Sequence, residues 1–278
     1  MNKRFIIGFV LAAILIMLIS FGIKNFVNKR STRFRAKVNL ENTEILEESL
    51  LNAAESYSSK NDYMNAKIYL EKFTNKFPDS KKYKKAQNDI EELNIKILFS
   101  DVQNDDSFAY EIKKGDALAK IARKFNTTVE LLKKSNDLKK DVIYPGKFLK
   151  VNKTKFNVLV NKTDNKLYLK RPDGGVVKTY IVATGKNLCT PVGAFKIEEK
   201  MIAPRWYKVG AVVEPDSPEY ELGSRWMGLS IEGYGIHGTK DASSIGQYVT
   251  KGCVRMANKD VEELYAILPS GTEVVIVE

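Results

Sequence analysis

Apolar and polar positions change their spacing several times along the chain. From Phe5 to Ile23 there is no alternation at all: FIIGFVLAAILIMLISFGI carries no charged residue. As a helix this run rises about 28 Å at ~1.5 Å per residue, close to the hydrocarbon thickness of a bilayer. Lys3 and Arg4 precede it, and Lys24, Lys29 and Arg30 follow. No small-x-small cleavage site comes after it, so the run reads as an uncleaved signal-anchor. From Glu44 to about Phe99 the spacing becomes three to four. Leu46, Leu50, Ala53, Ala54 and Tyr57 form one stripe, broken by Lys60-Asn61-Asp62. Tyr63, Ala66, Leu70, Phe73 and Phe77 form a second, closed by Pro78; Ser80 is the expected N-cap of a third helix carrying Tyr83, Ala86, Ile90, Leu93 and Ile97.

A polar linker, Asn104 to Ser107, then leads into a strand–helix–helix–strand pattern. Tyr110 to Ile112 is extended, and Gly115-Asp116 turns it into a helix with Leu118, Ile121, Ala122 and Phe125 on one face. Asn126 ends that helix, Thr128 caps the next, and Tyr144-Pro145-Gly146 turns into a strand at Phe148 to Val151. Beyond it, Phe156 to Val160, Lys166 to Lys170 and Val176 to Val182 read as the strands of a meander, separated by Asn161 to Asn165 and by Pro172 to Gly175. Shorter strands are expected at Gly193 to Ile197 and Trp226 to Ile231. Asn258 is the expected cap of a helix bearing Val261, Leu264, Tyr265 and Leu268, and a last strand spans Glu273 to Val277.

Composition narrows the function. Of 278 residues 44% are hydrophobic, enough for more than one core, and Lys+Arg 45 against Asp+Glu 34 leaves a net charge of +11. Such a surplus favours anionic polymers. The chain has no aromatic RNP-type strand, helix-turn-helix pattern or zinc finger, so nucleic acid is not the expected partner. One histidine and two distant cysteines cannot assemble the usual zinc ligand sets, so neither a metal nor another cofactor is expected.

The chemistry concentrates in Gly235 to Met256, GIHGTKDASSIGQYVTKGCVRM. It contains the single histidine, His237, and Cys253, one of the two cysteines. A thiol activated by an imidazole of its own chain must therefore use His237. Gly233, Gly235 and Gly238 surround the histidine and Gly252 precedes the cysteine, so backbone can approach a substrate closely at both places. Cys189 reads as a free, half-buried thiol.

The IHGT at His237, the SIG at Ser244 to Gly246 and the TKGCVRM ending at Met256 resemble the signature of the L,D-transpeptidase (YkuD-type) catalytic domain. So do Thr190-Pro191-Val192-Gly193 and Arg225-Trp226-Met227-Gly228-Leu229. The likeness covers roughly residues 154 to 278. It departs from the family at Lys251, where a second histidine is usual. The segment from Tyr110 to Val151 looks like a LysM module, with Ala117 where that family has threonine, and the tyrosine and alanine of Tyr63 to Ala66 with Phe77-Pro78 resemble one tetratricopeptide-like hairpin. The fold class implied is multidomain α+β: a transmembrane segment over 1–30, a helical spacer over 31–104, a LysM module over 105–152, and a mixed β-sandwich catalytic domain over 153–278.

These resemblances imply a membrane-anchored enzyme of the bacterial envelope, exported despite Lys29, Arg30, Arg33, Arg35 and Lys37 behind the apolar run, a charge bias that by itself would hold the chain in the cytoplasm. Glycan chains of peptidoglycan would bind the LysM module and stem peptides the catalytic domain. Cys253 would attack the carbonyl of the third stem residue, expel D-alanine and leave a thioester for a 3→3 crosslink. His237 would move the proton, an imidazolium beside the thiol would lower its pKa, and the Gly252 and Cys253 backbone N–H groups would receive the oxyanion. Arg255 would hold a donor carboxylate or else form a structural ion pair, and Gly238, Tyr234 and Trp226, with Trp206 and Tyr207, would line the peptide groove. The histidine-to-cysteine order and gap separate the chain from sortases and from papain-like wall peptidases. An L,D-carboxypeptidase or endopeptidase, or a silent wall-binding anchor, shares the same scaffold. The helical segment is either a spacer or a surface for a protein partner.

Overall fold

The computed structural model of the protein describes residues 40–208 and 211–278, with 21, 24–26, 29, 30, 32 and 37. Apart from Phe21, the expected signal-anchor lies outside the described residues; among these, no helix is long and apolar enough to cross a membrane. The chain divides into two compact units, residues 1–86 and 87–278.

In the first unit helix α1 (40–59) and helix α2 (Tyr63–Lys76) are separated by the polar break read from sequence. Asn61 takes a positive φ of 61°, and the Asp62 carboxylate accepts the Asn65 N–H, capping α2. Ala66, Leu70 and Phe73 are buried, and the Tyr57 and Tyr69 rings stack at 5.4 Å between α1 and α2. Helix α3 (Tyr83–Phe99) starts three residues after Ser80. Ser80 is therefore not the cap that was expected. Its hydroxyl accepts the Lys82 N–H and donates to Glu47, fixing the turn between α2 and α3.

The second unit holds the rest of α3, the middle module and the C-terminal domain. The module is β1 (Ser107–Glu111), α4 (Leu118–Lys124), α5 (Val129–Lys134) and β2 (Phe148–Asn152), with the two strands antiparallel. Thr128 caps α5 as its position predicts, its hydroxyl accepting the Leu131 N–H at 2.8 Å. Ala117 sits at the N-cap of α4 with no side-chain bond, a position where a hydroxyl contributes about 1 kcal/mol. Asp116 takes over the turn, accepting from Lys113 N at 2.8 Å and from the Tyr110 hydroxyl at 3.0 Å.

The C-terminal domain is built on one eight-stranded sheet, in the order β13-β11-β10-β7-β14-β3-β4-β5. Its strands are β3 (Asn157–Asn161), β4 (Lys166–Lys170), β5 (Val176–Ile181), β7 (Gly193–Ile202), β10 (Arg225–Leu229), β11 (Gly235–His237), β13 (Val254–Arg255) and β14 (Glu273–Val277). The sandwich expected from sequence is thus one curled, continuous sheet. Residues 193–196 of β7 pair with β14 and residues 197–202 with β10, so one long strand joins the two halves. A hairpin of β8 (Trp206–Lys208) and β9 (Ala211–Val213), and a short pair of β6 (Thr184–Gly185) with β12 (Tyr248–Thr250), lie outside the sheet.

Helix α6 (Asn258–Ile267) seals the core with Val261, Leu264 and Ile267 against Met227, Ile236, Val254 and Val274. Edge strand β5 does not present open backbone along its whole length. Asn94 donates to Val177 O, and the Glu91 carboxylate accepts the Thr179 N–H and hydroxyl. The module is packed on the same core: Leu131 of α5 joins it, and the Thr128 hydroxyl bonds Ala266 O of α6. The Lys150 ammonium donates to Ile97 O and Ser100 O at the end of α3.

Candidate active site

Strand alternation explains how the site assembles. Successive side chains point to opposite faces of a sheet. Cross-strand register places Met227 opposite Ile236 and Ile236 opposite Val254, and all three are fully buried in the core. Their neighbours therefore share the other face. Met201 pairs with Trp226, Trp226 with His237, and His237 with Arg255. Cys253, two residues before Arg255, lies on that same face where β13 begins. This row borders a cavity of about 650 Å³ whose walls include Cys253, His237, Arg255, Trp226, Thr250 and Lys251.

His237 is buried, and its Nδ1 lies 2.7 Å from Gly238 O. A carbonyl only accepts, so Nδ1 carries the proton and Nε2 keeps the lone pair. The Trp226 ring stacks on the imidazole at 5.9 Å and is itself held by Nε1 donating to Glu199 at 3.1 Å. Burial, helped by the Arg255 charge, lowers the imidazole pKa to about 4, against the opposing Gly238 bond. Burial also pushes the Cys253 thiol up, against the pull of the Gly235 backbone and Arg255. Burial thus favours the uncharged form of each group. An imidazolium lowering the thiol pKa was expected from sequence; burial acts on both groups in the opposite direction.

Thr250 ties the loop before Cys253 with one hydroxyl, which donates to Cys253 O at 2.7 Å and accepts the Gly252 N–H at 3.1 Å. Gly252 is required twice: its φ is +123°, and a Cβ there would lie 2.5 Å from the Tyr234 ring. Cys253 is half-buried with a free thiol, and Cys189 is also free, more exposed than the half-buried position expected.

Residues 155–276 match the L,D-transpeptidase catalytic domain (YkuD) and residues 110–152 the LysM domain. YkuD of Bacillus licheniformis, which carries the L,D-transpeptidase name, is 36% identical over 176 residues, covering 60% of this chain and 97% of that protein. The chain belongs to the L,D-transpeptidase family. YkuD of Bacillus subtilis is likewise 36% identical over 175 residues, 60% of this chain and 97% of that protein. Over 45 residues the chain is also 56% identical to LytE of Bacillus subtilis, named as a peptidoglycan endopeptidase, covering 16% of this chain and 14% of that protein.

The L,D-transpeptidase fold thus brings together Cys253, His237, Arg255 and Trp226, with Trp206 and Tyr207 on the β8–β9 hairpin also lining the cavity. Other sequence-based assignments change. Tyr234 packs its ring over Gly252 and is not part of the cavity wall. Gly238 is buried behind His237, where a Cβ would lie 2.2 Å from the Asn258 carboxamide oxygen, so it offers backbone to the imidazole and no surface to substrate. The Gly252 N–H is held by Thr250 and is not free to receive an oxyanion. Arg255 forms an ion pair through Nη2 with Glu221 at 3.0 Å, while its buried Nε has no partner. Glu199 and Glu221 face the cavity too. Nothing in their local sequence distinguishes them; Glu199 is found only through the pairing of β7 with β10.

Proposed function

We propose that this L,D-transpeptidase is a cysteine acyltransferase that crosslinks peptidoglycan stem peptides through a Cys253 thioester. The observation that carries the reading is the shared strand face: Cys253, His237 and Arg255 border one cavity, with Nδ1 of the imidazole locked and Nε2 left as base. As Sγ attacks the carbonyl of the third stem residue, its proton passes to Nε2. The oxyanion is received by the Cys253 N–H, a contribution of about 3 kcal/mol for a well-aimed donor. Collapse breaks the peptide bond, and the departing D-alanine amine takes the proton back from His237. The acceptor's side-chain amine then attacks the thioester, giving a 3→3 link and the free thiol. Arg255, which borders the cavity and is paired with Glu221, meets a carboxylate or carbonyl of the donor stem.

The LysM module holds the glycan. Tyr144 and Val142, 65% and 57% exposed between α5 and β2, supply apolar faces for sugar rings. The apolar run Phe5–Ile23 anchors the chain in the membrane with the catalytic end outside the cytoplasm, and the helical segment serves as a spacer between them. The test is incubation of the purified protein with a defined disaccharide-tetrapeptide, followed by mass spectrometry. A thioester adduct on Cys253 and a crosslinked dimer are expected, and Cys253→Ala should abolish both while leaving the thermal melt unchanged. Trimmed monomers alone would point to a carboxypeptidase, and an unmodified thiol to a silent wall anchor.

A further inference from the structure

Asn258 was expected to cap α6. The N-cap position belongs instead to Ala257, which makes no side-chain bond, and Asn258 is the first residue of the helix. Its carboxamide oxygen points back toward the sheet and accepts two backbone N–H groups, Ser224 at 2.9 Å and Thr239 at 3.1 Å. The second bond bears on catalysis. Thr239 N–H and Gly238 C=O belong to one peptide unit, and Gly238 O is the acceptor of His237 Nδ1–H at 2.7 Å. The chain of contacts runs from carboxamide to peptide to imidazole. Space around it is closed: Cβ atoms at Gly223 and Gly238 would lie 2.4 and 2.2 Å from Asn258 Oδ1. The Gly238 N–H is bound as well, to Arg225 O at 3.1 Å.

We propose that Asn258 is a positioning residue for His237, acting through the Gly238–Thr239 peptide in the part that a carboxylate takes in other nucleophile–histidine pairs. The inference rests on the cysteine–histidine reading above. Accepting the Thr239 N–H does two things. It fixes the plane of the peptide, and so the direction of the Gly238 carbonyl, which sets the tautomer and tilt of the ring. It also polarises that carbonyl, because hydrogen bonds in series strengthen one another in a low-dielectric setting. Both effects favour the imidazolium that forms when Nε2 takes the thiol proton. A carboxylate touching the ring would do the same more strongly, but it would also hold a charge beside a buried imidazole. The carboxamide supplies the direction without the charge. The charge acting on this ring is Arg255 beside it on β13, itself paired to Glu221; Cys253 and Glu221 line the same cavity.

His237 is the sole histidine of the chain, so its imidazole resonances are unique in a nitrogen-15 NMR spectrum of the full-length protein. The experiment compares wild type, Asn258→Asp and Asn258→Ala by imidazole titration, thermal melt and rate of carbapenem acylation at Cys253. Asn258→Asp keeps an acceptor for both N–H groups and adds a charge. It should fold, keep the Nδ1–H tautomer, and raise the imidazole pKa by about one unit, the effect of a nearby opposite charge. Asn258→Ala should lose the fixed tautomer and slow acylation about tenfold, the worth of one ordinary hydrogen bond. An Asn258→Asp protein titrating as wild type overturns the proposal. So does an Asn258→Ala protein whose imidazole is unchanged and whose rate falls only with the folded fraction. Should the alanine variant fail to fold, the aspartate variant alone decides. If Cys253 proves not to be acylated in wild type, the crosslinking reading fails while the imidazole titration still tests the relay.

Discussion

Lowering the pH should destabilise this protein through its one histidine, and the size of the effect follows from the burial of that ring. In the unfolded chain His237 has an ordinary pKa near 6.5; in the native protein it is lowered to about 4. Between those values the unfolded chain takes up a proton that the native ring refuses. Stability is therefore full above about pH 6.5 and declines as pH falls toward 4. Integrating the difference gives a loss on the order of 1 kcal/mol at pH 5.5 and of 2–3 kcal/mol at pH 4.5. Carboxylates complicate the low end, but those held below their usual range, Asp116 and Asp241, lose their contribution only below that window. The assay is urea denaturation at pH 7.5, 5.5 and 4.5, followed by tryptophan fluorescence. Both tryptophans, Trp206 and Trp226, line the cavity that His237 borders, so the signal reports the domain in question. His237→Gln, neutral at every pH, is the reference, and subtracting it cancels the carboxylates. A difference between the two proteins that stays flat from pH 7.5 to 4.5 would refute the reasoning, since the ring would then be accepting its proton in the folded state.

Two other substitutions probe the frame around the site. Gly252→Ala places a methyl 2.5 Å from the Tyr234 ring at a φ of +123°, so it should cost about 1–3 kcal/mol in a denaturant titration and depress acylation of Cys253; a melt indistinguishable from wild type would contradict that packing. Lys178 is 7% exposed and bridges Glu92 at 2.9 Å and Glu263 at 2.8 Å. Lys178→Met should lose about 1–3 kcal/mol by leaving the half-buried Glu263 carboxylate with the Tyr180 hydroxyl but no cation beside it, and adding Glu263→Gln should recover part of it.

The chain order of elements and the identity of the candidate cysteine and histidine were legible because local rules govern them. Period two predicts β4 and β14 to the residue, and Thr128 caps α5 because a hydroxyl there has only one nearby set of N–H groups to serve. A chain with one histidine leaves one possible imidazole partner for its thiol. What sequence could not supply was everything decided by register between distant strands. Met201, Trp226, His237 and Arg255 form one row only because β7, β10, β11 and β13 are adjacent, and a slip of one residue in any pairing would turn its row to the opposite face. The same dependence explains the errors. Asn258 has the composition of a helix cap, but two backbone N–H groups, 34 and 19 residues before it in the chain, lie closer to its oxygen than the first turn of its own helix offers. Protonation was likewise out of reach, because a pKa near 4 for His237 is a property of the burial around the ring, and burial exists only once the sheet has closed.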